Sequence, residues 1–216
     1  MPLIKTIHFN SSTKIFVWKI TESFNRLNDE VQLNDKNRLR LAGMKSELHQ
    51  RGFLSVRKLL QEAGYNDLDL YYDEFGKPHL KDDKYISITH SHNFSAIIVS
   101  NETVGIDVEL QRDKIIRIAN KFVDKEFSYL DKNDSESYIK KLTVIWGAKE
   151  AIFKICNEKR ISFKDHIKVK AFEIDDLKAK AELHFDGVVK DFDLFYEEIE
   201  GFGLVYAFET KMGNRN

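Results

Sequence analysis

The apolar residues of this chain change their spacing from about two to about 3.6 and back, and then do so a second time. Ile4–Phe9 and Thr13–Ile20 alternate like strands around Asn10-Ser11-Ser12, which predicts a hairpin. From Asp35 to Ala63 the period is helical, carried by Leu41, Met44, Leu48, Phe53, Val56 and Leu60. Asn34 or Asp35 caps its start and Gly64 follows its end, while Gly43 and Gly52 leave open one kinked helix or two shorter ones. Strand spacing returns at Leu68–Tyr72, Tyr85–Thr89, Phe94–Val99 and Val104–Leu110. Helical spacing then resumes over Ile115–Leu130, with a possible split at Asp124, and over Tyr138–Cys156. Strands follow around Ile167–Phe172, Ala181–Phe185, Val188–Tyr196 and Gly203–Glu209, with Asp186-Gly187 as a hairpin turn and a polar tail, Lys211–Asn216, expected to fray. Two α+β lobes, residues 1–103 and 104–216, are therefore expected, each with a mostly antiparallel sheet packed by helices. A site is expected in the crevice between them.

Composition narrows the class. Of 216 residues, 42% are hydrophobic, enough for one large core or two small ones. Runs such as Ala96–Val99 are far too short to span a bilayer, and Met1–Ile20 shows no signal-peptide core. Thirty-four Lys and Arg balance 35 Asp and Glu, so the chain has no global field for nucleic acid. The single cysteine, Cys156, has no internal partner, and no thiol cluster exists for zinc. A reducing, cytoplasmic setting is favoured.

Four segments hold residue types suited to chemistry. In Val104–Leu110, alternation puts Asp107 and Glu109 on one face and Ile106, Val108 and Leu110 on the other. Two adjacent like charges on a half-buried strand need neutralising, and a hard cation such as Mg²⁺ does so; a solvated acidic edge is the plainer alternative. In Trp146–Lys154, residues Trp146, Glu150 and Lys154 fall on one helical stripe. Glu150 is placed to add a third carboxylate or act as a base and Lys154 to face a phosphate, against the alternative of a surface ion pair. The buried face of that helix takes Ile145, Ile152 and the stem of Lys149. Phe75-Gly76-Lys77-Pro78 holds an ammonium on a stiff turn suited to phosphate. Ser87–His92 ends a strand with His90, a possible phosphate donor; zinc bound by His90 and His92 on one strand face is a weaker idea.

Read in order, Gly76-Lys77-Pro78, Ile88-Thr89-His90-Ser91, Gly105-Ile106-Asp107-Val108-Glu109 and Trp146-x-x-Lys149-Glu150-Ala151-x-x-Lys154 resemble the 4′-phosphopantetheinyl transferase superfamily. At this length the chain is similar to the two-lobed surfactin-type class. The resemblance implies transfer of the 4′-phosphopantetheine arm of coenzyme A to a serine of an apo acyl or peptidyl carrier protein, releasing 3′,5′-ADP. It implies Mg²⁺ on Asp107, Glu109 and Glu150. It also implies coenzyme A contacts from Gly76, Lys77, Thr89, His90 and Lys154, with Arg38 and Arg51 at the nucleotide end. Thr89 replaces the family's usual serine and keeps the hydroxyl.

The residues suit that chemistry independently of the family. Displacement at a pyrophosphate needs charge neutralisation, cations for the phosphates and a base for the incoming hydroxyl, here Glu150, with Lys154 on the developing charge. An Mg²⁺-dependent phosphohydrolase and a catalytically silent coenzyme A-binding module remain open readings. Lys114, Arg117, Lys121 and Lys125 would form a basic stripe on a helix, with Phe122 as an apolar anchor for an acidic carrier. No nucleic acid or membrane partner is expected, and the protein is expected to be a monomer.

Overall fold

The computed structural model describes residues 2–210; the tail 211–216 lies outside the described residues. The chain divides into two compact units, one ending at Glu102 and the other beginning at Thr103. Both are α+β, with antiparallel sheets packed by helices.

The first unit opens with the hairpin read from Asn10-Ser11-Ser12, β1 (Leu3–His8) against β2 (Thr13–Lys19). With β5 (Tyr85–Ser91) and β6 (Phe94–Ser100) it forms a sheet of order β1-β2-β6-β5. The helical stretch is two helices, α2 (Asp35–Ala42) and α3 (Glu47–Glu62), preceded by a short α1 (Phe24–Glu30). Asn34 caps α2 by accepting from the Asn37 amide, and Gly43 ends it. The seven-residue α1, with Leu27 as its buried residue, is too short to show a periodic stripe in sequence. Phe53, Leu54, Val56, Leu59 and Leu60 of α3 are buried with Phe16, Trp18, Ile97 and Val99 in one core. A two-stranded ribbon, β3 (Leu70–Tyr72) and β4 (Pro78–Leu80), carries the Gly76-Lys77 turn.

The second unit is a five-stranded antiparallel sheet of order β7-β11-β10-β9-β8. Its strands are β7 (Val104–Leu110), β8 (Ile167–Val169), β9 (Lys178–Phe185), β10 (Val188–Ile199) and β11 (Phe202–Glu209). Asp186 and Gly187 both take positive φ, as a two-residue hairpin turn requires. The long helix α5 (Ser135–Cys156) lies on β7 and β11, capped by Asp134 and stopped by Asn157 in the left-handed region. Its Leu142, Ile145, Ala148, Ala151 and Ile152 are fully buried.

The segment before α5 departs from expectation. The stretch 115–130 is a five-residue helix, α4 (Lys114–Ile118), followed by two 3₁₀ turns, Ala119–Lys121 and Lys125–Tyr129. Lys114, Arg117, Lys121 and Lys125 are all exposed, but they do not lie on one continuous helix. Phe122 is 1% exposed and packs edge-on against Trp146 at 5.1 Å, so it is a core residue and not a surface anchor. Among the described residues, no helix is long and apolar enough to cross a membrane.

Candidate functional site

The carboxylates of β7 are set by how closely α5 approaches the strand. A Cβ on Gly105 would collide with the Ala151 carbonyl oxygen, and one on Gly147 would stand 2.8 Å from Val205 Cγ2. Two glycines therefore let helix and sheet meet at a distance that larger residues forbid. The Gly147 position also lies 3.7 Å from Oδ2 of Asp107, which shows that the acidic face of β7 is the one turned to α5. Asp107 is 7% exposed, so a solvated acidic edge does not describe it.

Lys154 supplies a countercharge. Its ammonium donates to Asp107 Oδ1 at 2.9 Å and to the Ile106 carbonyl at 2.8 Å. The repulsion expected between Asp107 and Glu109 is thus offset in part by a residue of the same site. Glu150, one turn earlier on α5, is half-buried, and burial pushes its carboxyl above the ordinary glutamate range. Asp107 and Glu109 push it further in the same direction, while Lys154 opposes them. Asp107, Glu109, Glu150 and Lys154 therefore form one electrostatic cluster.

Among the described residues, no three His, Cys, Asp or Glu side chains stand close enough, as placed, to enclose an ion. The donor set nevertheless suits a hard divalent cation. Mg²⁺ is held by one or two carboxylates plus waters and substrate phosphates, and needs no all-protein cage.

The other residues of the stripe have different surroundings. Trp146 packs against Phe122 and Phe163, at 5.1 and 5.6 Å. Lys149 buries its charge as well as its stem. Its ammonium is fully enclosed, donating to the carbonyls of Phe122 and Phe163 and pairing with Glu126 at 2.6 Å. Glu126 in turn accepts from the amides of Asp124 and Val169. This pair ties the 3₁₀ segment, the loop holding Phe163 and β8 to the helix beside Glu150. Periodicity marks neither the partner nor the burial of the charge, because Glu126 sits in a segment with no clean helical repeat.

In the first unit, Gly76 takes a φ of +87°, the conformation that lets the β3–β4 turn close. Asp73 organises that turn: its carboxylate accepts from the amides of Phe75 and Lys77 and lies 3.1 Å from His79 Nε2. An aspartate three residues before a glycine is a turn signal that the sequence did offer. Thr89 is buried on β5 and His90 is exposed beside it. His92 sits in the β5–β6 turn with φ +52°, off the strand, so the two histidines do not share a strand face.

Arg38 is directed to its own helix end, donating to Asp35 and to the Leu33 carbonyl. Arg51 donates to the Ile20 carbonyl. Two neighbouring cations, Lys36 and Arg40, instead line a cavity of about 640 Å³ with Asn37, Tyr71, Tyr72 and Gly76. The Arg40 guanidinium lies 5.2 Å from the Tyr72 ring centre.

A family model described as the 4′-phosphopantetheinyl transferase superfamily matches residues 103–202. That span holds Gly105, Asp107, Glu109, Trp146, Glu150 and Lys154; the Gly76–Pro78 and Thr89-His90 motifs lie outside it. Over 107 residues the chain is 30% identical to the 4′-phosphopantetheinyl transferase gsp of Aneurinibacillus migulanus. The match covers 48% of this chain and 45% of that protein, so the chain spans about half the length of this relative. The resemblance read from the ordered motifs is borne out by both similarities.

Proposed function

We propose that this protein transfers the 4′-phosphopantetheine moiety of coenzyme A to a serine hydroxyl of an apo carrier protein, releasing 3′,5′-ADP. The observation that carries the reading is the cluster of Asp107, Glu109, Glu150 and Lys154, built where α5 presses on β7. It lies within the stretch similar to the superfamily.

Asp107, Glu109 and Glu150 would hold Mg²⁺, which when bound offsets the charge of the pyrophosphate. In the transfer, the serine oxygen bonds to the β-phosphorus, the bond from that phosphorus to the bridging oxygen breaks, and 3′,5′-ADP leaves. Glu150 takes the hydroxyl proton, directly or through a water. Its burial and acidic neighbours raise its proton affinity above that of an ordinary glutamate. Such a base contributes about 10²–10⁴-fold in rate. Lys154, already seated against Asp107, donates to the oxygens on which charge develops.

In the first unit, Lys77 and His90 are the proposed coenzyme A phosphate contacts, with Gly76 and Thr89 beside them in sequence. At the nucleotide end, Lys36 and Arg40 replace Arg38 and Arg51 as the favoured cations, since they line an open cavity with Gly76. Lys114, Arg117, Lys121 and Lys125 remain the proposed docking cations for an acidic carrier, as separate exposed charges and without Phe122. Incubation of apo-carriers with coenzyme A and Mg²⁺, followed by mass spectrometry, tests the proposal. A carrier serine bearing phosphopantetheine supports it. Hydrolysis of coenzyme A with every carrier unmodified would favour the phosphohydrolase.

A further inference from the structure

Gly52 sits inside α3, where glycine costs helix stability relative to alanine. The structure gives it a use. A Cβ built there would lie 3.2 Å from Nδ1 and 3.3 Å from Cγ of His90, so the imidazole rests directly against the helix backbone. The approach is fixed from a second side. Ser55, one turn on and fully buried, donates to the Gly52 carbonyl at 2.8 Å and is hydrogen-bonded to Ser95 Oγ at 2.9 Å. Ser95 is the register partner of His90 across β5 and β6. Helix, strand pair and imidazole are thus locked together at one point. The ring of His49, one turn before Gly52, stands 6.4 Å from that of His90.

We infer that Gly52 is a positioning residue: it forms the notch that seats His90 and so sets the reach of the imidazole towards a ligand phosphate. The inference rests on the proposed coenzyme A reading for its ligand, and on the packing alone for the contact. A methyl group at residue 52 pushes the ring by a few tenths of an ångström, and a valine pushes it further.

The test uses the full-length chain as wild type, Gly52→Ala, Gly52→Val, His90→Ala and Gly52→Ala/His90→Ala. Coenzyme A binding is measured by calorimetry with Mg²⁺, and thermal melting is measured alongside. Gly52→Ala should melt at or above the wild-type temperature, since it removes a helix-interior glycine. It should nevertheless bind coenzyme A about 3- to 10-fold more weakly, a partial loss of one charge-assisted hydrogen bond, and Gly52→Val more weakly still. In the His90→Ala background, adding Gly52→Ala should change binding no further. An equal loss in both backgrounds, or no loss in either Gly52 variant, overturns the inference. Wild type that binds no coenzyme A defeats the functional reading, and the His90 imidazole NMR signals then decide the contact. A shift in both Gly52 variants upholds the notch; signals unchanged in both overturn it.

Discussion

The Lys154 ammonium lies 2.9 Å from Oδ1 of Asp107, so the carboxylate at the centre of the acidic strand is paired with a cation from α5. The relationship changes what removal of each acid does. Deleting Asp107 strips a partly buried lysine of its carboxylate and leaves it the Ile106 carbonyl; deleting Glu109 relieves repulsion on Glu150.

Asp107→Ala should therefore destabilise the metal-free protein by about 1–2 kcal/mol, discounted because the Lys154 side chain is 27% exposed. Glu109→Ala should be neutral or slightly stabilising. Thermal melting in chelator checks both. Added Mg²⁺ should raise the wild-type melting temperature and leave both variants little changed. Equal Mg²⁺ responses in all three proteins would remove the metal assignment.

Glu150 gives a pH signature. Its native pKa lies above the ordinary 4.5, so between the two values the native state binds more protons than the unfolded chain. Its contribution to metal-free stability is greatest below pH 4.5 and is lost as pH rises through the native value. Glu150→Gln should remove that fall, leaving the variant more stable than wild type at neutral pH in chelator. Denaturant titrations from pH 4 to 8 should show the two curves diverging as pH rises.

Lys149 and Glu126 form a deeply buried ion pair, with side chains 0% and 2% exposed. Lys149→Met leaves Glu126 uncompensated and should cost about 3–5 kcal/mol. Lys149→Met/Glu126→Gln should recover a large part of that loss, because the glutamine oxygen still accepts a backbone amide. Urea denaturation of the two singles and the double measures the coupling.

Discrimination between coenzyme A and its dephospho form locates the nucleotide end. Arg38 is occupied by Asp35 and the Leu33 carbonyl, so Arg38→Ala should leave the ratio of affinities unchanged. Lys36→Ala or Arg40→Ala should shrink it by up to about 1.5–3 kcal/mol, the range for a charge-assisted hydrogen bond. Calorimetry with the two ligands reads the difference directly.

The acidic strand and its partner helix were legible in sequence because both are long and periodic. Val104–Leu110 alternates cleanly, and the spacing of Glu150 and Lys154 places them together on any helix. The short elements were legible only in part: α1, of seven residues, is below the length at which a 3.6 period declares itself, and α4, of five, was read as the start of a longer helix. Phe122 follows Ile115 at i+7 and shares its buried side, which its apolar character alone does not distinguish from a surface anchor. Pairings far apart in the chain, such as Lys149 with Glu126 and Gly52 with His90, depend on how strands and helices come together. No local pattern encodes them. Arg38 and Arg40 look alike by sequence position, yet Arg38 donates to its own helix end while Arg40, two residues on, lines the cavity.

Mass spectrometry of a panel of apo-carriers, with coenzyme A and Mg²⁺ present or chelated, tests the account most directly. The account predicts one phosphopantetheine on the carrier serine, an equal amount of 3′,5′-ADP, and loss of both in chelator and in Glu150→Gln. Carriers left unmodified by wild type while coenzyme A is consumed, or modification that proceeds unchanged in Glu150→Gln, would contradict it.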